Sequence, residues 1–239
     1  GLLAAEHFLD RGFRHFTFFS VSADPVASAR KKTFFDNVKP RANTLFDWTL
    51  TAPTFDWHQK QQILISQLGK VPKPMAIFAS RDLDASILLD ACIQANINVP
   101  EQVAILGVDN NELITESLQV PLSSINYDAE KLGFIGSSLL QRLLNGGPVP
   151  PSVSLIEPSG IVTRRSSDHF AVNDQNVKKA LTYINHHLAQ KELTLSKVAE
   201  HVGVSRRSLD NRFKQALGHS MHTEVINMRL RLAKQALIE

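Results

Sequence analysis

One cysteine, no apolar run approaching the length of a membrane span and none of the short glycine phrases of common catalytic folds narrow this 239-residue sequence from the outset. Cys92 has no second cysteine to pair with, and its neighbours Leu88, Leu89 and Ile93 describe a small buried hydrophobe rather than a nucleophile. A bilayer crossing needs about 20 consecutive apolar residues, and a signal peptide needs a basic then an apolar opening. Neither pattern is present, so no membrane partner and a cytoplasmic location are expected. Gly-x-Ser-x-Gly, the Gly-Lys-Ser/Thr phosphate loop and the dinucleotide glycine pattern are absent; Gly133 and Gly136 fall inside an expected helix. His186 and His187 are adjacent and His219 and His222 lie three apart, a grouping that reads as surface or packing rather than metal. The chain is expected to be no enzyme and to need no cofactor.

What is present is an ordinary globular composition, 43% hydrophobic and 21% charged, with length enough for two cores. The net charge of +3 hides an asymmetry: residues 168–239 carry eleven Lys and Arg against seven Asp and Glu, while residues 1–167 carry fifteen against sixteen. Between Arg206 and Lys234 seven basic residues face only Asp210 and Glu224. Such a surplus serves phosphate contacts or a solvated helical face, and charge alone does not choose.

Up to about Gly160, short apolar runs alternate with amphipathic stretches, the pattern of βα units around a doubly wound parallel sheet. Four strands are expected at Phe16–Ser20, Thr44–Trp48, Met75–Ser80 and Val103–Val108, as apolar as strands buried on both faces should be. Helices are expected at Leu2–Asp10, Ala29–Val38, Trp57–Leu68, Leu83–Ala95 and Ala129–Leu144, and another extended segment at Val153–Val162. The polar run Thr163–His169 reads as a linker. From Asp174 the period becomes helical, with Val177, Leu181, Ile184 and Leu188 as one stripe. The expected division is an α/β domain at 1–165, a linker at 166–173 and an all-α domain at 174–239.

Within the second domain, Thr194–Lys214 has the grammar of a helix-turn-helix. Thr194 can cap the first helix, Ala199 allows close approach, Gly203 can end that helix in a left-handed conformation and Ser205 can cap the second. Val204 and Leu209 form a hydrophobic staple, and Phe213 extends the buried face. Arg206, Arg207, Asp210, Asn211 and Lys214 remain outside, and forked arginines with an amide suit the edges of bases in a major groove. Asp210 is divided between DNA contact and simple pairing with Arg206 or Lys214 four residues away. Ser205–Gly218, reading S-R-R-S-L-D-N-R-F-K-Q-A-L-G, resembles the first helix-turn-helix of AraC-type regulators, with Met221–Leu237 similar to their connecting helix. The resemblance implies a second helix-turn-helix beyond Glu239.

Ligands of open parallel sheets bind beyond the carboxyl ends of the strands, and those ends are polar here. The first strand leads through Ser22 and Asp24 to Arg30, the second into Asp47 and Trp48, the third into Arg81 and Asp82, and the fourth into Asp109, Asn110 and Asn111. Carboxylates that accept paired hydroxyls, a guanidinium fork and an aromatic face suit a polyol or sugar. Each residue also has a plain structural role available: Asp82 can cap the next helix, Asp109 can open an Asx-turn, and Trp48 and Trp57 can be core.

The phrases G-L-L-A-A-E-H-F-L-D-R-G-F at the start, S-A-R-K-K-T-F around Arg30, F-A-S-R-D-L-D-A around Asp82 and V-P-E-Q-V-A-I-L-G-V-D-N around Asp109 resemble, in order, the effector-binding domain of LacI/GalR-type repressors, a fold similar to periplasmic sugar-binding proteins. That resemblance implies effector contact by Arg30, Asp82 and Asp109, with Trp48 as a stacking candidate. A sensor followed by an AraC-type domain, joined at V-T-R-R-S-S-D (Val162–Asp168), resembles the xylose operon regulator family. It implies a cytoplasmic, homodimeric, xylose-responsive regulator that binds promoter DNA. It further implies that the chain is a fragment truncated at both ends, that the first sensor lobe precedes Gly1 and that only Ala129–Leu144 belongs to that lobe. Arg81 departs from the family's small or amide residue; it narrows the pocket, pairs with Asp84 or signals a different sugar. The competing expectations are a ligand-binding protein whose helical tail mediates assembly, and a regulator of another sugar.

Overall fold

The computed structural model describes residues 1–50, 56–150, 155–190 and 192–236. Helices and strands alternate as far as β6 and helices alone follow: α1 (Leu2–Asp10), β1 (His15–Ser20), α2 (Pro25–Val38), β2 (Thr44–Thr49), α3 (Trp57–Lys70), β3 (Met75–Ala79), α4 (Asp82–Gln94), β4 (Val103–Val108), α5 (Glu112–Thr115), β5 (Ser123–Asn126), α6 (Ala129–Leu144), β6 (Gly160–Val162), α7 (Gln175–His187), α8 (Leu195–Val202), α9 (Arg206–Leu217) and α10 (Met221–Ala236).

The sheet order is β2-β1-β3-β4-β5-β6, and every pairing is parallel except β5 with β6. The expected parallel sheet is therefore mixed: an antiparallel edge strand closes it. Of the extended segment expected at Val153–Val162, only Gly160–Val162 pairs, and residues 153–154 lie outside the described residues. β5 and α5 were not among the expected elements.

Apolar side chains on the two faces of the sheet enter two cores. Met75, Ile77 and Ala79 of β3 face Leu64 and Leu68 of α3 and Ala85, Leu88 and Cys92 of α4. Ala76 and Phe78 of the same strand face Ala4, Ala5 and Phe8 of α1 and Phe34 of α2, as the two-residue period of a strand requires. Phe8, Phe13, Phe16, Phe34 and Phe78 meet there, mostly edge to face, at centroid separations of 5.2–6.4 Å. Cys92 is fully buried among apolar side chains, which pushes its thiol up to about 12.

α2 begins at Pro25, four residues before the expected start, because Asp24 caps it through the Ala27 amide (2.8 Å) and proline is favoured in the first turn. α6 contributes no buried residue, and Leu132, Phe134, Leu140 and Leu144 stand exposed along it. The third core belongs to the helices after residue 170: Val177, Leu181 and Ile184 of α7 pack with Val198 and Ala199 of α8, Leu209 and Phe213 of α9, and Met221, Val225 and Met228 of α10.

The stretch expected as a linker is a connection, but it is not loose. Ser166 and Ser167 are fully buried in a short 3-10 turn, His169 and Phe170 are buried beside them, and the Ala171 amide donates to the Arg11 carbonyl at 2.8 Å. Phe170 joins the helical core while Ala171 lies against the α1/α2 core. No helix among the described residues is long and apolar enough to cross a membrane.

Candidate functional site

The connections out of β1 and β3 run in opposite directions, β2 lying to one side and β4 to the other, which opens a crevice at the strands' carboxyl ends. Arg30, Arg81, Asp82, Asp84 and Asp109 all come to it. Arg30 projects from α2, donates from Nη1 to the Ser80 carbonyl and is half-buried. Burial lowers its pKa, opposed by the charges of Asp109, Asp24 and Asp82. Asp109 follows β4 in a left-handed conformation (φ 123°), with Asn110 at φ 50° behind it. A non-glycine residue held there stores strain of the kind that gathers at ligand sites. Among the described residues Arg30 and Asp109 form no ion pair with each other, although each shifts the other electrostatically. Burial raises the Asp109 carboxyl while Arg30 and Arg81 pull it back.

Asp82 occupies a different position from the one expected of a ligand contact. It is 0% exposed, and its oxygens accept the Ser124 hydroxyl (2.6 Å) and the Asn111 amide (2.9 Å). Nor is it the helix cap: Arg81 occupies that position, and Asp82 is the first residue of α4. A Cβ on Gly107 would collide with Asp82 Oδ1, so glycine is what lets the carboxylate lie across β4. Burial pushes the Asp82 carboxyl up to about 6 against the pull of those two donors.

Asp84, named in the sequence only as a partner for Arg81, is equally notable: it is buried, and its carboxyl is raised to about 6 by burial despite the Ser20 hydroxyl and Val21 amide beside it. Arg81 is 48% exposed along its side chain and pairs with Asp24 at 2.7 Å, not with Asp84, bridging the β1–α2 and β3–α4 loops. Trp48 is corrected outright as a stacking candidate: at 5% exposure it packs in the α3/α4 core, while Asp47 on the opposite face binds Lys31 at 2.8 Å. Trp57 is the first residue of α3 and is 47% exposed.

The helical segment carries the second candidate surface. Thr194 caps α8 through the Lys197 amide, Gly203 ends α8 at φ 80°, and Ser205 caps α9 through the Ser208 amide. Leu209 and Phe213 face the core, which leaves Arg206, Arg207, Asn211 and Lys214 exposed. Asp210 is turned inward from the expected DNA face. One of its oxygens accepts the Met221 amide at the start of α10 (3.0 Å) and the other pairs with Lys214 (3.0 Å), and these donors hold its carboxyl low. Arg212 reaches back to Asp174, the cap of α7, at 2.7 Å. Among the histidines, His186 pairs with Asp168 and His219 with Glu224.

The strand order, the polar crevice at its switch point and the strained loop behind it define an α/β lobe of the ligand-binding type. The chain belongs to the periplasmic binding protein-like domain family, whose model matches residues 5–167. Over 97% of its length it is 31% identical to the xylose operon regulatory protein of Escherichia coli K12, and over 98% it is 28% identical to that of Haemophilus influenzae. The chain spans 60–62% of the length of these relatives. A solved structure described as the xylose-binding transcription activator xylR matches 96% of this chain and 61% of its own, at 30% identity and a TM-score of 0.65.

Proposed function

We propose that this chain supplies one sensor lobe and the first DNA-reading helices of a sugar-responsive transcriptional regulator, with a xylose-like pentose as effector. The observation that carries the reading is that Arg30, bonded to the Ser80 carbonyl, and Asp109, bonded to the Asp82 backbone, both come to the crevice and form no ion pair with each other. A guanidinium with N–H groups to spare and a carboxylate with open lone pairs, both half-buried, are suited to a polyol's vicinal hydroxyls. The names of the relatives point the same way.

In this reading Arg30 and Asp109 touch the effector, and Asp82 is a positioning residue that fixes the loop carrying Asp109. α6, which buries no residue and exposes an apolar face, belongs to the facing lobe. Closure of the two lobes repositions α9, and the effector shifts that equilibrium only by its differential affinity for the closed state. Arg207 and Asn211 read base edges in promoter DNA, Arg206 and Lys214 contact phosphates, and Asp210 supports the helix from behind. The regulator acts in the cytoplasm as a homodimer and catalyses no reaction.

Thermal unfolding of the full-length protein against pentoses and hexoses tests the sugar reading. Effector at 100 times its Kd adds about 2.7 kcal/mol of stability. A raised midpoint with D-xylose, abolished by Arg30→Met, is expected; no shift with any sugar overturns the sugar reading and leaves the DNA reading standing.

A further inference from the structure

The junction motif Val162–Asp168 holds more than a change of domain. Arg164 turns its side chain back to the crevice: Nη1 donates to Asn110 Oδ1 (2.9 Å) and to the Leu122 carbonyl (3.1 Å), and Nη2 lies 3.4 Å from Glu116 Oε1. The Arg164 side chain is 12% exposed, so its bonds to Asn110 and Leu122 are part-buried, charge-assisted contacts, whereas Glu116 is 63% exposed. Asn110 is the strained residue immediately behind Asp109, and its amide donates to Ser124 Oγ, the hydroxyl that also holds Asp82. Arg164 therefore grips the loop that presents the proposed effector contact.

Its backbone continues in the other direction. The Arg164 amide donates to Ser123 Oγ, which donates to the Arg164 carbonyl; the Ser123 amide donates to Ser166 Oγ, and that hydroxyl donates to the Ile105 carbonyl. Ser167 Oγ meets His7 Nε2 at 2.7 Å, the His169 amide donates to the Ser167 carbonyl, and the Ala171 amide donates to the Arg11 carbonyl. Phe170, under the Arg11 guanidinium at 5.8 Å, belongs to the core of the helical segment. Ser123, Ser124, Ser166 and Ser167 are all fully buried, and each of their hydroxyls has a partner. A satisfied buried network of this kind is stiff, since any displacement leaves a polar group unpaired.

We infer that Arg164 is a positioning residue that ties the 109–111 loop of the crevice, through the strap 164–171, to the α7–α10 segment. The two ends then move together: a ligand that rearranges Asp109 and Asn110 pulls on the strap that seats Phe170 in the helical core. The assignment rests on the crevice being the effector site, but the test uses no effector, so failure of either leaves the other standing.

Coupling between distant sites is a measurable quantity. Hydrogen exchange of the full-length protein, resolved by residue, is compared for wild type, Arg164→Met, Arg164→Lys, Asn110→Ala and the exposed neighbour Arg165→Met. Arg164→Met and Asn110→Ala are expected to speed exchange about tenfold or more at Asn110 and Asn111 and also at His169 and Ala171. Arg165→Met changes neither end, and Arg164→Lys, which keeps a charged donor, recovers both ends together. Acceleration confined to residues 110–111 overturns the inference. Equal acceleration at Ile77 in the central strand β3 also overturns it, since that marks general destabilisation.

Discussion

The Asp82 carboxylate accepts the Ser124 hydroxyl at 2.6 Å in a contact that neither residue exposes to solvent. It joins the start of α4 to β5 across the end of β4, and the Asn111 amide on its second oxygen adds the loop after β4. A residue that the resemblance assigns to ligand contact thus lies buried beneath the crevice, with both carboxylate oxygens bonded to the protein.

Asp82→Ala should cost about 1–3 kcal/mol of folding stability, because it leaves the buried Ser124 hydroxyl and the part-buried Asn111 amide without their acceptor. Gly107→Ala should lower stability by about 1–3 kcal/mol by driving a methyl against the same carboxylate. Denaturant unfolding of both variants checks this; a stability unchanged in Asp82→Ala with ligand binding lost would return Asp82 to direct contact.

Asp82 and Asp84 have folded pKa values raised to about 6 from 3.8. The folded protein therefore binds more protons than the unfolded chain between about pH 4 and pH 6, and these two groups make stability fall as pH rises through that window, with no further change above it. Asp24, Asp174 and Asp210 are shifted downward and act with the opposite sign at lower pH. The separating measurement is Asp84→Asn relative to wild type: the variant should gain on wild type by about 1–3 kcal/mol between pH 4.5 and pH 7.5. A pH-independent difference would mean that Asp84 titrates normally.

On the helical segment, Asn211→Ala and Arg207→Ala should each cost about 1–3 kcal/mol on the preferred duplex and much less on random DNA. Arg206→Ala and Lys214→Ala should weaken both alike and each flatten the salt dependence by about one unit of slope. Asp210→Ala should lower thermal stability, through loss of the bond to Met221, and leave the ratio of specific to random binding unchanged. Competition binding at several salt concentrations distinguishes these patterns.

Trp48→Ala should destabilise by about 3–5 kcal/mol as a core truncation. Trp48→Phe should fold and bind sugar with wild-type affinity. A selective loss of sugar affinity in Trp48→Phe would place the indole at the ligand after all.

Much of this was legible in the chain. β1 to β4 announce themselves as apolar runs because both faces of the sheet are covered, and the caps at Thr194, Gly203 and Ser205 act locally, so their residues specify them. β5 is hidden for the opposite reason. Ser123, Ser124 and Asn126 look like loop, and it is the partners Ser166, Asp82 and Arg164, some 40 residues away in sequence, that satisfy the buried Ser123 and Ser124. The same non-local bonding conceals Arg164 and turns an apparent linker into a buried strap. The early start of α2 was readable, since Asp24-Pro25 is a cap followed by a first-turn proline. Trp48 could not be placed from sequence: whether an aromatic at a strand end faces crevice or core is settled by one step of register, and here Asp47 takes the exposed side.

The central claim is that a sugar held by Arg30 and Asp109 alters DNA binding by α9. Its most direct test is the affinity of the full-length protein for a duplex selected from random-sequence DNA, measured with and without saturating D-xylose in wild type and Arg30→Met. The account predicts a sugar-dependent change of about 5-fold or more, the usual scale of coupling between sites, in wild type and none in the variant. Specific DNA binding that no pentose or hexose alters would contradict it.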